Sequence, residues 1–231
     1  QKIKLKSINK INIIGNSITK DKVIRSRLNF ESGDYLNNFY IDKAKENLKR
    51  LPYINSVEIK QLEIDNMNTD INIDILENNK TGDISLAGFF SSDSGAGVTF
   101  AINDSNILGT GNQLRLNMNI SEEYIQFDTS YSKISLKNPY LKNTFSISNI
   151  ENDLSGSYGF KVKEQSLGYS SSFKYNDETN VSAGISFKAS EGHSPKANLN
   201  FVNDNIGTFQ DFILSFSINS NTTNDLYYPT N

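Results

Sequence analysis

The chain has 231 residues, 36% of them hydrophobic and 11% aromatic, with 23 Lys and Arg against 26 Asp and Glu for a net charge of -3. That balance argues against a nucleic-acid binder, and no basic stripe appears beyond the short Lys2, Lys4, Lys6 run; the lack of cysteine excludes a disulfide framework and a thiolate metal site. Mean hydropathy is -0.48; no run of about 18 apolar residues occurs, which excludes a transmembrane helix but not a transmembrane barrel, whose strands only alternate.

The first residue is Gln1 rather than Met and no signal-type apolar segment follows, so the chain is expected to be an internal piece of a longer protein. Its first region, to about Asn79, mixes two periods. Ile11, Ile13 and Ile14 predict a short strand stopped by Gly15-Asn16. Thr19 is placed to cap a helix that carries Asp21 in its first turn and has Ile24 and Leu28 one turn apart. Glu31-Ser32-Gly33-Asp34 is a turn. A second helix is expected to open near Asn37 or Asn38, because Ile41, Ala44, Leu48 and Leu51 fall at i, i+3, i+7 and i+10, and Pro52 stops it. Two strands follow, one with Val57 and Ile59, the other with Ile71, Ile73 and Ile75 alternating with Asn72 and Asp74; Asp65-Asn66 turns between them. Strand, helix, helix, strand, strand makes a small α+β layer with helices on one face of a three-stranded sheet.

From Lys80 onward no helical period remains. Eight alternating segments succeed one another, marked by Ile84, Leu86 and Phe89; Val98 to Ile102; Leu114 to Ile120; Ile125 to Tyr131; Phe145 and Ile147; Leu167 to Tyr175; Val181 to Phe187; and Phe212 to Ile218. Asp93-Ser94-Gly95, Glu122-Glu123, Asn176-Asp177-Glu178 and Gly192-His193-Ser194-Pro195 punctuate them. Hairpin spacing of this kind implies an up-and-down antiparallel sheet. The phase shift between Tyr131 and Ile134 suits a bulge, or a strand passing from one solvent to another.

Alternation alone fits a soluble β-sandwich. Three features favour lipid. Several polar faces are built of Ser, Gly, Asn and Thr rather than Lys and Glu, as at Ser182, Gly184 and Ser186, which suits a water-filled barrel interior. The segments run to roughly 9 to 11 residues or more, enough to cross a bilayer at a tilt. Aromatic residues recur near segment ends, at Phe89-Phe90, Tyr124, Tyr140 and Tyr227-Tyr228.

The first region, with INIIGN at Ile11 to Asn16 and KENLKRLPYINSVEI across its helix-to-strand break, resembles a POTRA domain; Pro52 stands where that family usually has glycine. Behind it come NILGTGNQL (Asn106 to Leu114), NPYL (Asn138 to Leu141) and DLYYPTN (Asp225 to Asn231). In this order the three motifs resemble the BamA family of outer-membrane assembly factors. The resemblance implies a POTRA domain of β-α-α-β-β order at 1–79, followed at 80–231 by the N-terminal half of an antiparallel transmembrane β-barrel, incomplete, with about eight strands. It also implies a bacterial outer-membrane location with the POTRA domain in the periplasm. The motif residues read on their own agree: Gly109 and Gly111 suit a tight turn. A phosphate cradle competes, but no helix follows and no Lys sits where it is needed.

No catalytic constellation assembles, and no metal or cofactor site is expected. His193 reads as a solvated loop residue, and Glu122-Glu123 as a solvated hairpin tip. The resemblance implies assembly and insertion of β-barrel proteins without nucleotide or metal. Its partners would be unfolded outer-membrane β-barrel clients, lipoproteins of the assembly machinery and outer-membrane lipid, with no nucleic acid. Val57, Ile59, Gln61 and Leu62 are the candidates for a sheet edge that a client segment could extend, against the reading of a plain strand protected by Glu58, Lys60 and Glu63. Gly82, Ile84, Leu86, Gly88 and Phe89 are candidates for a lateral gate, since glycine packs poorly in a strand, against the reading that glycine there only allows curvature. Glu31 and Asp34 form an acidic turn, suited either to a basic partner surface of a lipoprotein subunit or simply to solvent. Leu114, Leu116, Met118 and Ile120 are expected to face lipid, with Arg115, Asn117 and Asn119 facing water. A two-partner secretion transporter or a translocation and assembly module protein would share both parts. A porin would lack the helix pair, and a soluble adhesin sandwich is the alternative from another class.

Overall fold

The computed structural model of the chain describes residues 6–92, 94–156, 159–176, 178–193 and 207–221. The DLYYPTN segment, Asp93, Asp177 and Ser194-Pro195 lie outside them. Two compact units result, one of residues 1–82, 104–112 and 136–139, the other of 83–103, 113–135 and 140–231.

In the first unit β1 (Ser7–Ile14), α1 (Asp21–Arg25), α2 (Asn38–Lys49), β2 (Ile54–Glu63) and β3 (Asn68–Glu77) follow in that order. The sheet order is β1-β3-β2, with β3 parallel to β1 and antiparallel to β2. The strand with the strictest alternation takes the centre. Ile71, Ile73 and Ile75 point into one core with Ile24 of α1 and Ile41, Ala44 and Leu48 of α2. Asn37 caps α2 by accepting the Phe39 N–H at 3.0 Å. Asp65 makes the β2–β3 turn by accepting the N–H groups of Met67 (2.7 Å) and Asn68 (2.8 Å).

Thr19 does not cap a helix. α1 begins at Asp21, behind Lys20, without a side-chain cap, because the Thr19 hydroxyl is buried and accepts a hydrogen bond from Asn106 instead.

The second unit is one sheet of eight strands: β4 (Gly82–Ser91), β5 (Gly95–Asp104), β6 (Gln113–Ser121), β7 (Tyr124–Ile134), β8 (Leu141–Leu154), β9 (Phe160–Lys174), β10 (Thr179–His193) and β11 (Gly207–Ser220). Each lies beside its sequence neighbour, and the sheet is not closed: β4 and β11 stand at its ends. From β6 to β11 the pairing is antiparallel and without register shift.

β8 to β11 have 14 or 15 residues each, in keeping with the expectation of roughly 9 to 11 residues or more; their hairpin ends extend past the apolar rows into rows that carry charge. No bulge separates Tyr131 from Ile134: the β7–β8 register runs unbroken from Tyr131↔Phe145 to Ile134↔Lys142. The phase change is one of surroundings, since Ile134 falls on the face opposite Tyr131. No helix among the described residues is long and apolar enough to cross a membrane.

Ile73, fully buried at the centre of β3, and Leu62, 46% exposed on β2, set the scale of core packing. Ile73→Ala is expected to lower the opening free energy of the first unit by about 2–5 kcal/mol, and Leu62→Ala by less than about 1 kcal/mol. Amide hydrogen exchange on the full-length protein in lipid would measure both.

Candidate functional site

In an antiparallel sheet, residues paired across neighbouring strands form rows perpendicular to the strands, and alternate residues share a face. One face of the large sheet carries the row Leu114, Tyr131, Phe145, Tyr169, Ile185, Leu214 and the next row Leu116, Thr129, Ile147, Leu167, Phe187, Phe212. On β6 and β7 this face stays apolar two rows further, through Met118 and Phe127 to Ile120 and Ile125. On β8 and β9 the same rows hold Asn149 and Gln165, then Glu151 and Lys163, an ion pair at 2.9 Å. Toward the other strand ends, the row Leu141, Phe173, Val181, Ile218 is apolar on β8 to β11.

The apolar band therefore steps by two rows between β6 and β11. Two rows are four residues, about 14 Å, and five strand spacings are about 24 Å. The strands thus incline by about 30°, near the tilt with which barrel strands cross a membrane slab. All four residues expected to face lipid lie in this band.

The opposite face is polar. Its rows include Gln113, Ser132, Thr144, Ser170, Gly184, Ser215 and Arg115, Ser130, Ser146, Gly168, Ser186, Ile213. Asn119 donates to Gln126 (3.0 Å) and accepts from Thr99 (2.8 Å), and Lys188 pairs with Glu164 at 2.8 Å. Arg115, Asn117 and Asn119 are all on this side.

β4, the end strand, divides its apolar residues between the faces. Asp83 hydrogen-bonds Asn103 on the polar face, so Gly82, Ile84, Leu86, Gly88 and Phe90 fall on the other by alternation, with Ile84, Leu86 and Phe90 more than two-thirds exposed. Phe89 departs from the other residues expected at a gate. Its ring lies over Gly97 of β5 on the polar face, in the space a Cβ on Gly97 would occupy. Gly88 has no such close neighbour.

In the small sheet, β2 is an edge. Val57 is buried and Ile59 packs partly against the core. Gln61 donates to Asn38 at 2.9 Å, while Leu62 points away from the helices. In the acidic turn, Asp34 folds back to accept the Glu31 N–H at 2.7 Å. Both line a groove with Arg25, Phe30, Lys137 and Pro139. Two cations stand beside the two acids, so the groove is mixed in charge rather than acidic.

Sequence reading caught the NILGTGN turn but missed what it touches. Residues 104–112 and 136–139, which join β5 to β6 and β7 to β8, pack within the first unit. Asn106, 1% exposed, donates to the Thr19 hydroxyl at 2.8 Å and accepts the Gly111 N–H at 2.7 Å. The Lys20 N–H donates to the Gly109 carbonyl at 2.9 Å. Gly109 (φ +68) lies so near the Ile18 carbonyl that a Cβ would overlap it. A Cβ on Gly111 (φ +71) would come within 2.8 Å of Val23 Cγ1 and 3.2 Å of the Tyr53 hydroxyl. Arg27 donates to the Pro139 carbonyl at 3.2 Å. Between the anchors, Leu108 sits at φ 54, ψ 26, a left-handed conformation that costs a non-glycine residue roughly 1–2 kcal/mol. Burial pushes the Tyr53 phenol pKa up, with Arg27 opposing.

Glu77, at the end of β3, holds the loop that receives this turn. It accepts the N–H groups of Ile18 (2.7 Å) and Thr19 (2.8 Å) and the Ser17 hydroxyl (3.2 Å). Burial raises its pKa, but the hydrogen bonds from Thr19, Ile18 and Ser17 outweigh this and hold it below the ordinary glutamate value. A folded pKa below the unfolded one contributes stability above the unfolded value, lost as pH falls through the folded value. Protection of the Ile18 and Thr19 amides in the full-length protein is therefore expected to decline as pH drops through the glutamate range. Glu77→Gln is expected to weaken it at neutral pH and flatten that dependence; hydrogen exchange across the pH range checks both.

Among the described residues no group of three or more His, Cys, Asp or Glu side chains could hold a metal. A family model described as a surface antigen variable number repeat (POTRA) matches residues 6–78, and the Omp85 superfamily domain matches residues 106–231. The chain is 30% identical over 173 residues to the outer membrane protein assembly factor BamA of Buchnera aphidicola, covering 70% of this chain and 27% of that protein. It is 29% identical over 201 residues to the protein of that name from Neorickettsia risticii, covering 80% and 27%. The chain thus spans 27% of the length of these relatives. Among solved structures, BamA from Haemophilus ducreyi lacking POTRA domains 1-3 superposes with a TM-score of 0.73 at 23% identity, covering 97% of this chain and 46% of that one. CdiB from Acinetobacter baumannii does so with a TM-score of 0.64 at 18% identity, covering 96% and 44%.

Proposed function

Because the chain belongs to the Omp85 superfamily, with a POTRA unit ahead of its barrel strands, we propose that it is part of a machine that assembles and inserts β-barrel proteins into the bacterial outer membrane. On this reading residues 1–79 are the last periplasmic POTRA domain and 80–231 the first half of the barrel. The observation that carries it is the order along the chain, a POTRA unit leading directly into β4, the first strand of the large sheet. Strand addition needs no covalent chemistry. It needs an edge whose backbone groups a client can complete, and hydrocarbon raises the value of each hydrogen bond formed there.

β4 suits the task in detail. Gly82, Ala87 and Gly88 give it little side-chain packing, while Phe89 over Gly97 pins its far half to β5. We assign β4 as the lateral gate: it stays paired with β5 while its other edge opens from the closing strand to receive a client strand. In the periplasm, the β2 edge at Val57, Ile59, Gln61 and Leu62 is the proposed site for holding an extended client segment. The Glu31–Asp34 groove is the proposed contact for a lipoprotein subunit, which would have to match its mixed charge.

The chain has no cysteine, so a disulfide between β4 and the final strand can be engineered without competition from this stretch. In the full-length protein, the oxidised Ile84→Cys pair is expected to abolish client insertion in a reconstituted assay and the reduced form to restore it. Full insertion by the locked protein would refute the gate.

A further inference from the structure

We infer that Leu108 is an apolar foot, held out by the turn between β5 and β6 so that it enters the phospholipid of the periplasmic leaflet. The inference rests on the outer-membrane placement of the family and not on the insertion activity, so it stands or falls apart from the gate.

Leu108 is 84% exposed, the most exposed large hydrophobic residue in the described chain. Exposure of one leucine is ordinary, but this one is also kept in a left-handed conformation, which asparagine or glycine would adopt without penalty. Strain of this sort persists only where the surroundings over-determine it. Here they do, through the buried Asn106 bonds to Thr19 and Gly111 on one side and the contacts of Gly109 with Ile18 and Lys20 on the other.

What covers the leucine follows from where the turn lies. It packs within the unit that contains the POTRA fold, hence at the periplasmic ends of β5 and β6. The apolar face of β5 ends at Ile102 and that of β6 begins at Leu114, so the chain leaves the apolar band and re-enters it around this turn. The ten residues from Ser105 to Leu114 carry no charge, which keeps the cost of an interfacial position low. Ile18, whose carbonyl abuts Gly109, is itself 42% exposed.

A nitroxide attached to Leu108→Cys in the full-length protein, in nanodiscs of phosphatidylglycerol and phosphatidylcholine, tests this by collision with oxygen and with a water-soluble nickel chelate. The ratio is expected to match that of a label at Leu116→Cys in the apolar band and to exceed that of a label at Asn117→Cys. Adding Asn106→Ala, which releases the turn, is expected to shift the Leu108 label toward the water value while the Leu116 label stays unchanged. A water-like ratio at Leu108 in the otherwise unaltered protein would overturn the inference. So would an immobile label reached by neither reagent, which would mean a protein contact instead of lipid.

Discussion

A peptide group in hydrocarbon has no water to bond, so every strand that crosses a bilayer must complete its hydrogen bonds with another strand. This constraint accounts for most of the large sheet. From β6 to β11 the ladder runs without a register break, although the face that is apolar in the middle of β8 and β9 turns polar and then charged, at Asn149 and Gln165 and at Glu151 and Lys163. Side chains adapt to depth while the backbone does not. The same constraint bears on β4, the first strand of the large sheet, whose outer edge has no partner among the described residues.

The small sheet obeys a different economy. It sits in water, fills its core with Ile71, Ile73, Leu48 and their neighbours, and uses polar side chains for connections. Asn106 and Glu77 are two of these. Asn106 satisfies a hydroxyl and an amide that burial would otherwise strand, each worth about 1–3 kcal/mol if left unpaired. Glu77 organises the loop whose carbonyl meets Gly109. The turn that joins two barrel strands is thus folded as part of the POTRA unit, and its two glycines are needed for close approach as much as for their positive φ.

Much of this was legible in the sequence, for physical reasons that also mark the limit. Period two and period 3.6 are local, so all eight barrel strands, α2 with its Ile41, Ala44 and Leu48 stripe, and the Asp65 turn could be read directly. Partners distant in the chain could not. Thr19 has the chemistry of a helix cap, yet its hydroxyl is taken by a residue 87 positions away. Phe89 stands in a strand with Ile84 and Leu86 but on the other face, over a glycine that the sequence gives no reason to pair with it. The ends of β8 and β9 could not be placed, because charged rows such as Glu151 and Lys163 look like loop until their cross-strand pairing is known. The acidic turn at Glu31 and Asp34 reads as acidic only until Arg25 and Lys137 are found beside it.

The account depends centrally on which face of the large sheet meets lipid, and β6 offers the most direct measurement. With no cysteine in the chain, single cysteines placed in the full-length protein at each position from Gln113 to Ser121 can be probed with a membrane-impermeant maleimide in sealed bilayers. Labelling should alternate, with Arg115, Asn117 and Asn119 reactive and Leu114, Leu116, Met118 and Ile120 protected. Uniform labelling, or alternation in the opposite phase, would contradict the assignment of that face to lipid.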